Sequence, residues 1–316
     1  MANVDPEHSA VAGHIARSAC PGCGSDGPFS LHSEAKVDPK RLSELTFASR
    51  KAPELMHHRL VTCPACELLF ANPIPSTDAV EHAYAEASFD SADEARYASR
   101  TYALLVDRLR RSLPDSDGVL DIGTGEGSFL EELEGRGFSG LVGVEPSAAP
   151  VGAAKPAVRA MIRQEPFDPR AFEPASFALV TCFQTLEHVF EPGALVRGVF
   201  GLLKPGGAFV AVCHDRRAPA NRILGRKSPI FDIEHLQLFS SGSGRTLLAQ
   251  AGYERVHASR IINRYPIHYW AKLLPVPGGR KASLVESLRR SAVGRAAVGL
   301  PAGNQVLFGF KPHAQP

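Results

Sequence analysis

The sequence predicts an α/β protein, a doubly wound and mostly parallel sheet with helices on both faces, preceded by a small metal-bound module. Three observations predict it. From residue 118 to about 263, short apolar runs alternate with amphipathic stretches, the pattern of repeated strand–helix–strand units. The first of those runs, Gly118-Val119-Leu120-Asp121-Ile122, leads into a turn with glycines at 123, 125 and 127. Two C-x-x-C pairs, Cys20/Cys23 and Cys63/Cys66, lie ahead of the alternating region.

The chain has 316 residues, 44% hydrophobic and 22% charged, enough for an ordinary core in one large domain plus a small one. A net charge of +2 supplies no electrostatic case for a nucleic-acid or membrane partner. No apolar run reaches the roughly 18 residues of a membrane span. Residues 1–17 lack the basic and apolar regions of a secretory leader and read as a polar disordered tail, as do residues 313–316. The cytoplasm is the expected location.

Each C-x-x-C carries a proline after its first cysteine, which helps set a tight turn that points both thiolates at one centre. Four thiolates suit a tetrahedral structural zinc site with no coordination position left open for catalysis. The 39 residues between Cys23 and Cys63 exceed the usual ribbon spacing, which is tolerable because loop-closure entropy grows slowly with length. A redox pair would need a βαβ context, and disulfides conflict with the cytosolic reading. Cys20, Cys23, Cys63 and Cys66 are therefore the expected ligands, and residues 18–75 the expected zinc-binding module. Cys182 and Cys213 lie in apolar strand segments and read as small buried hydrophobes.

Further along, residues 57–62 read as a strand feeding the second knuckle and 67–70 as a strand leaving it. Residues 71–76 are a two-proline turn with a helix start at Ser76 or Thr77. A helical linker over 76–115 carries an apolar stripe of Tyr102, Leu105, Val106 and Leu109, with Arg108, Arg110 and Arg111 on a solvated face. In the region 116–312, strands are expected near 118–122, 141–145, 158–162, 176–183, 207–213 and 254–262. Helices are expected near 127–136, 147–154, 192–203 and 240–251, and a late strand over 306–310. Residues 264–303 form an insertion with a basic amphipathic helix near 281–296. Its Tyr265, Tyr269 and Trp270 either line an acceptor pocket or pack on the core.

The glycine-rich turn carries chemistry. Glycine removes the Cβ that would separate backbone from ligand, and the following helix offers free N–H groups at its positive end. An acid on the strand, Asp121, suits a cationic group better than a pyrophosphate. Glu145 ends the next strand, 24 residues after Asp121, at a spacing suited to holding a ribose diol.

Together Asp121-Ile122-Gly123-Thr124-Gly125-Glu126-Gly127 resembles the first motif of the class I S-adenosylmethionine (SAM) methyltransferases. Leu186-Glu187-His188 and Leu203-Lys204-Pro205-Gly206-Gly207 resemble later blocks of that family, in the right order. The two C-x-x-C pairs with the Leu68-Leu69-Phe70-Ala71-Asn72-Pro73 segment are similar to bacterial methyltransferases that carry a zinc ribbon ahead of the catalytic domain. The resemblance implies a Rossmann-like, seven-stranded sheet whose last strand is antiparallel. It also implies SAM as cofactor and a small-molecule, sugar or glycan-type acceptor methylated on oxygen or carbon.

Carried onto this chain, the resemblance places Asp121, Gly123, Thr124, Gly125 and Gly127 at the cofactor's amino-acid moiety and Glu145 at the ribose. Pro146 and Ser147 flank the adenosine, and Phe167 stacks on adenine or belongs to the core. Phe183 and Gln184 end the fourth strand beside the methyl group. His235 and His188 are the candidates for a base, which an acceptor that loses a proton requires. His188 alternatively makes a structural hydrogen bond, His235 alternatively contacts substrate, and His214-Asp215 is a weaker third option. Arg216, Arg217, Arg222, Arg226 and Lys227 form either a solvated run or a site for a phosphate-bearing or carrier-linked acceptor. An RNA or protein methyltransferase remains an alternative, although the Asn/Asp-Pro-Pro-Tyr/Phe block common in amino-methylating enzymes is absent. A catalytically silent scaffold that recruits a partner through its zinc module is another.

Overall fold

The computed structural model describes residues 14–38, 55–76, 92–273 and 279–313. The amino-terminal part is built on short strands, β1 (His14–Ile15), β2 (Ser30–Ser33), β3 (Leu60–Thr62), β4 (Leu69–Ala71) and β5 (Ile74–Pro75). β2, β3 and β4 form an antiparallel sheet, and β1 pairs with β5. Residues 14–17, expected in the tail, are thus ordered. The Asn72 side chain accepts from the Arg17 N–H at 2.9 Å and donates to the Arg17 carbonyl at 3.0 Å, which ties this segment to the turn after β4. The helix start at Ser76 or Thr77 and the helical reading of 77–91 fall mostly outside the described residues.

Helix α1 (Ala92–Leu109) follows, and Ala98, Tyr102, Ala103 and Val106 are its buried stripe. Arg110 is not on a solvated face, since it donates to the Arg136 carbonyl at 2.6 Å and lies 4.7 Å from the Phe138 ring centroid. The alternating region then runs β6 (Asp117–Ile122), α2 (Ser128–Glu134), β7 (Ser139–Val144), α3 (Ala148–Ala153), α4 (Pro156–Arg159) and β8 (Ile162–Arg163). It continues with β9 (Phe177–Phe183), α5 (Pro192–Leu202) and β10 (Leu203–His214). The strand expected over 158–162 is displaced. Pro156 presets the first turn of a helix through Arg159, and only Ile162 and Arg163 pair with β7.

Next come α6 (Pro219–Leu224), β11 (Gln237–Leu238), α7 (Ser241–Gln250), β12 (Glu254–Arg260), β13 (Asn263–Pro266), α8 (Ile267–Leu273), α9 (Gly279–Arg290), α10 (Ala292–Arg295), β14 (Ala297–Leu300) and β15 (Asn304–Phe310). The main sheet has seven strands in the order β12-β15-β10-β9-β6-β7-β8. β6 to β10 pair in parallel, and β15 runs antiparallel to both β10 and β12. The Rossmann-like fold expected from the sequence is therefore present, with its antiparallel strand.

β9 reads Phe177-Ala178-Leu179-Val180-Thr181-Cys182-Phe183 and is buried along almost its whole length, the continuous apolar run of a strand covered on both faces. The chain passes from β6 outward to β7 and β8, then returns to β9 on the other side of β6. Such a reversal opens a crevice at the carboxyl ends of the two strands, where ligands bind in open α/β sheets. In the insertion, β13 pairs with β14. Tyr265 and Tyr269 are buried in one cluster with Tyr102 and Val106 of α1, and the Trp270 indole donates to the Val298 carbonyl at 2.9 Å. Those aromatics pack on the core. Among the described residues, no helix is long and apolar enough to cross a membrane.

Candidate functional site

The three glycines after β6 do different jobs. A Cβ on Gly123 (φ +75°) would lie 2.3 Å from Thr185 Oγ1, and one on Gly127 (φ +77°) would lie 2.3 Å from Val158 Cγ1. Both positions are closed by packing and by left-handed backbone. A Cβ on Gly125 (φ +59°) would meet nothing within 4 Å. Of the three, Gly125 alone turns its missing side chain toward open space, and a ligand can approach the backbone there.

Around this turn sit two buried acids. Thr181, the residue paired with Asp121 on the neighbouring strand β9, donates to Asp121 Oδ1 at 2.6 Å. Burial pushes the Asp121 carboxyl up to about 6, against the pull of that hydrogen bond. Glu145 receives the Gly125 N–H at 3.0 Å on one oxygen and the Ser147 N–H at 2.9 Å on the other. Its pKa is also raised, by burial, although both backbone donors oppose the shift. Each carboxylate oxygen can accept more than one hydrogen bond, so capacity for a diol remains. Thr124 is buried and Pro146 exposed. Phe167 is half-buried against the core, 6.3 Å from the Phe172 ring.

Phe183 closes β9 and is wedged between Tyr102 and Phe129, at centroid distances of 4.5 and 4.8 Å. The next residue, Gln184, adopts φ +53°. Its N–H is fixed to the Val212 carbonyl at 2.7 Å, while its buried Nε2 has no hydrogen-bond partner. An orphaned buried donor beside an open glycine and a pair of buried carboxylates fits a polar, partly cationic ligand. The residues present therefore fit SAM.

Beyond Gln184 the chain enters a cluster of histidines. Glu187 is fully buried. It accepts the His214 N–H on Oε1 at 3.3 Å, and Oε2 makes no hydrogen bond. Burial lifts its pKa to about 7. His214 Nδ1 is 2.7 Å from Asn304 Oδ1, and His235 Nδ1 is 2.8 Å from the Ile230 carbonyl. Both acceptors lack a proton, so each ring donates from Nδ1 and carries its lone pair on Nε2. Burial, with His235 nearby, drives the His214 pKa down to about 3. The His235 ring lies 4.9 Å from that of His188 and 5.1 Å from that of His214. His188 Nδ1 bonds the Glu234 carbonyl at 3.2 Å, linking the two loops. Neither Glu187 nor Asn304 carries a local signal of this placement: Glu187 lies inside Leu186-Glu187-His188, and Asn304 stands in no motif.

The four amino-terminal cysteines come together. Sγ atoms of Cys20 and Cys66, and of Cys23 and Cys63, are each 3.7 Å apart, and all four lie within 4.8 Å of one another. A regular tetrahedron with Zn–S bonds of about 2.3 Å has edges of about 3.8 Å, whereas a disulfide needs about 2.05 Å. The donor set fits zinc. Cys182 and Cys213 are fully buried and apart from this group.

This thiol module braces the histidine cluster. β11, two residues after His235, pairs antiparallel with β4. Leu60, Leu69, Ala71 and Ile74 share a core with Ile230, Phe231 and Leu238, and Phe231 sits 6.1 Å from the His32 ring and 5.9 Å from His57. Arg216 is part of the same join rather than of a solvated run, donating to the Glu67 carbonyl at 2.6 Å. The other cations of that loop, Arg217, Arg222, Arg226 and Lys227, are exposed.

Comparison with known proteins matches residues 95–258, more than half of the chain, to the family described as "Methyltransferase domain". The chain belongs to this methyltransferase family. Among curated relatives, a ubiquinone biosynthesis O-methyltransferase of Pseudomonas aeruginosa (strain LESB58) is 38% identical over 95 residues, 28% of this chain and 40% of that protein. The same-named protein of Pseudomonas fluorescens (strain SBW25) is 36% identical over the same shares. The methyltransferase thus spans well under half the length of these relatives. Among solved structures, a SAM-dependent methyltransferase from Archaeoglobus fulgidus aligns with TM-score 0.45 and 16% identity, over 67% of this chain and 94% of that one. A Haemonchus contortus phosphoethanolamine N-methyltransferase 2 in complex with SAM aligns with TM-score 0.43 and 16% identity, over 67% and 52%.

Proposed function

We propose that this methyltransferase moves the methyl group of SAM to a hydroxyl or acidic C–H of a small-molecule, sugar or glycan-type acceptor. The observation that carries the reading is the cluster of His188, His214 and His235, gathered where β9 and β10 end, on the same carboxyl edge of the sheet as the glycine turn. The name of the curated relatives, O-methyltransferases of ubiquinone biosynthesis, supports an oxygen acceptor of low molecular weight.

Bound SAM supplies an electrophilic methyl and a neutral thioether leaving group. In this reading Asp121 and the Gly123–Gly127 turn hold its amino-acid end, with Thr124 alongside. Glu145 accepts from the ribose hydroxyls, and Pro146 and Phe167 border the adenine. Phe183 and Gln184 hold the methyl group in line and exclude water. The proton lost by the acceptor passes to the histidine cluster, first to His235 Nε2 and otherwise to His188. Cys20, Cys23, Cys63 and Cys66 hold a structural Zn2+ within a module over residues 18–75, and residues 116–312 form the SAM domain with its 264–303 insertion. A cavity of about 390 Å³ lined by Arg217, Pro219, Arg222, Ile223 and Arg260 suits a phosphate-bearing or carrier-linked acceptor.

The test incubates the protein with methyl-labelled SAM and fractionated cell extract. Label in a small-molecule, glycan or lipid-linked fraction supports the reading, and label in RNA or protein overturns the acceptor class. SAM binding with no label in any fraction favours a silent scaffold. Glu145→Ala is expected to weaken SAM binding about 10- to 100-fold, the loss of one or two hydrogen bonds to a charged group. His235→Ala is expected to abolish turnover while SAM still binds.

A further inference from the structure

We propose a second metal site in this protein, a divalent transition-metal site formed by Glu187, His214 and His235 and separate from the four cysteines. One oxygen of Glu187 and one ring nitrogen of each histidine lie within 4.8 Å of one another. They come from three places, the loop after β9, the end of β10 and the segment before β11.

The hydrogen-bond directions make this more than a cluster. Both histidines spend their N–H outward, His214 on Asn304 Oδ1 at 2.7 Å and His235 on the Ile230 carbonyl at 2.8 Å. Nε2 is thereby the ring nitrogen of each that carries a lone pair. Glu187 adds carboxylate oxygens. His214 Nε2 is 3.8 Å from Oε1, and the fully buried Oε2 has no hydrogen-bond partner. A carboxylate oxygen and two ring nitrogens thus converge on one point. An orphaned buried carboxylate oxygen is costly, and a cation at the centre would satisfy it with the two imidazoles as further ligands.

Two histidines and one carboxylate also make a ligand set that holds first-row divalent metals while leaving positions open. Asn304 and the Ile230 carbonyl are then the outer partners that fix ring orientation and tautomer. The His214 side chain is 23% exposed and the other two ligands are buried. The cysteine site differs in kind, since four thiolates close a tetrahedron.

This inference rests on the proposed acceptor chemistry in one respect, that the open positions would take an acceptor's hydroxyl. A metal held by Glu187, His214 and His235 would lower the pKa of a bound acceptor hydroxyl, with His235 then a ligand and His188 replacing it as the proton acceptor. The oxygen would form the new C–O bond as the S–C bond of SAM breaks and the sulfonium leaves as a thioether.

The experiment uses the full chain with zinc already held by its cysteines, verified as one equivalent by metal analysis, and titrates it with Co2+. A second equivalent is expected to bind with the visible bands of a nitrogen- and oxygen-ligated ion and without thiolate charge transfer. Glu187→Gln and His214→Gln are expected to lose it while still binding SAM, which reports that they are folded. Asn304→Ala, which removes an outer partner, is expected to weaken Co2+ binding about 10- to 100-fold. Absence of a second equivalent in the unaltered protein overturns the site, as does undiminished Co2+ binding by both folded ligand variants. Co2+ binding in a protein that methylates no hydroxyl acceptor supports the metal site and overturns only the acceptor reading.

Discussion

The glycine turn and the histidine cluster lie at the carboxyl ends of the same sheet but are assembled in opposite ways. The turn and its two acids come from one stretch, Asp121 to Ser147, closed by bonds such as Gly123 N–H to the Val144 carbonyl at 2.9 Å. The cluster is drawn from Glu187, His214, His235 and Asn304, and its His235 segment is held against the cysteine module through β4 and β11. The geometry of the turn is therefore local, whereas that of the cluster depends on the module.

The largest expected effect breaks the two apart. Structural zinc contributes on the order of 10 kcal/mol to small zinc modules. Chelation, or Cys63→Ser, is expected to release the module and with it the His235 segment. Methyl transfer should collapse while calorimetry still detects SAM binding. Turnover that survives zinc loss, or purified protein without zinc, defeats this dependence.

A finer contrast lies within the turn. Gly123→Ala or Gly127→Ala forces a Cβ to 2.3 Å from Thr185 or Val158 at positive φ, and each is expected to cost about 2–4 kcal/mol of folding stability. Gly125→Ala meets open space, so it should cost only about 1–2 kcal/mol for its left-handed backbone and act mainly on SAM affinity. Denaturant titration beside SAM titration separates the two. Equal stability losses at all three positions would erase the distinction.

Asp121 gives a pH test of similar or smaller size. Its carboxyl is raised from 3.8 to about 6 in the folded SAM-free protein. The folded state then binds more protons between those values, so the stability this provides is complete below pH 3.8 and is lost as pH rises through 6. Asp121→Asn removes that dependence. Its stability relative to the unaltered protein should climb across this range by up to about 3 kcal/mol, read as thermal midpoints from pH 4 to 7. A flat difference refutes the raised carboxyl. Smallest of all, Arg222→Ala on the exposed cavity rim should change stability by less than about 0.5 kcal/mol and appear only as a higher KM for a phosphorylated acceptor.

The same contrast explains what the sequence revealed. Strand periodicity, glycine spacing and the acid after the second strand are local signals, so the sheet and the glycine turn with its two acids were legible. Gly123 and Gly127 looked equivalent to Gly125 because the packing that distinguishes them comes from Thr185 and Val158. Residues 158–162 looked like a strand, but Pro156 started a helix there. The histidine cluster was half legible. His188 and His235 stood in recognisable blocks, but the pairing of His214 with Asn304 spans 90 positions and leaves no pattern in either segment. Arg216 read as a solvated cation because its partner, Glu67, lies 149 positions away.

The order of the sheet also constrains the timing of synthesis. β15 lies between β10 and β12, and β12 pairs with no other strand of the sheet. During translation the ribosome releases β12 well before β15, with β13, β14 and the insertion helices between them. Until β15 emerges, β10 presents a bare inner edge and β12 has no place to dock. The Asn304 support for His214 arrives only with the strand that closes the gap.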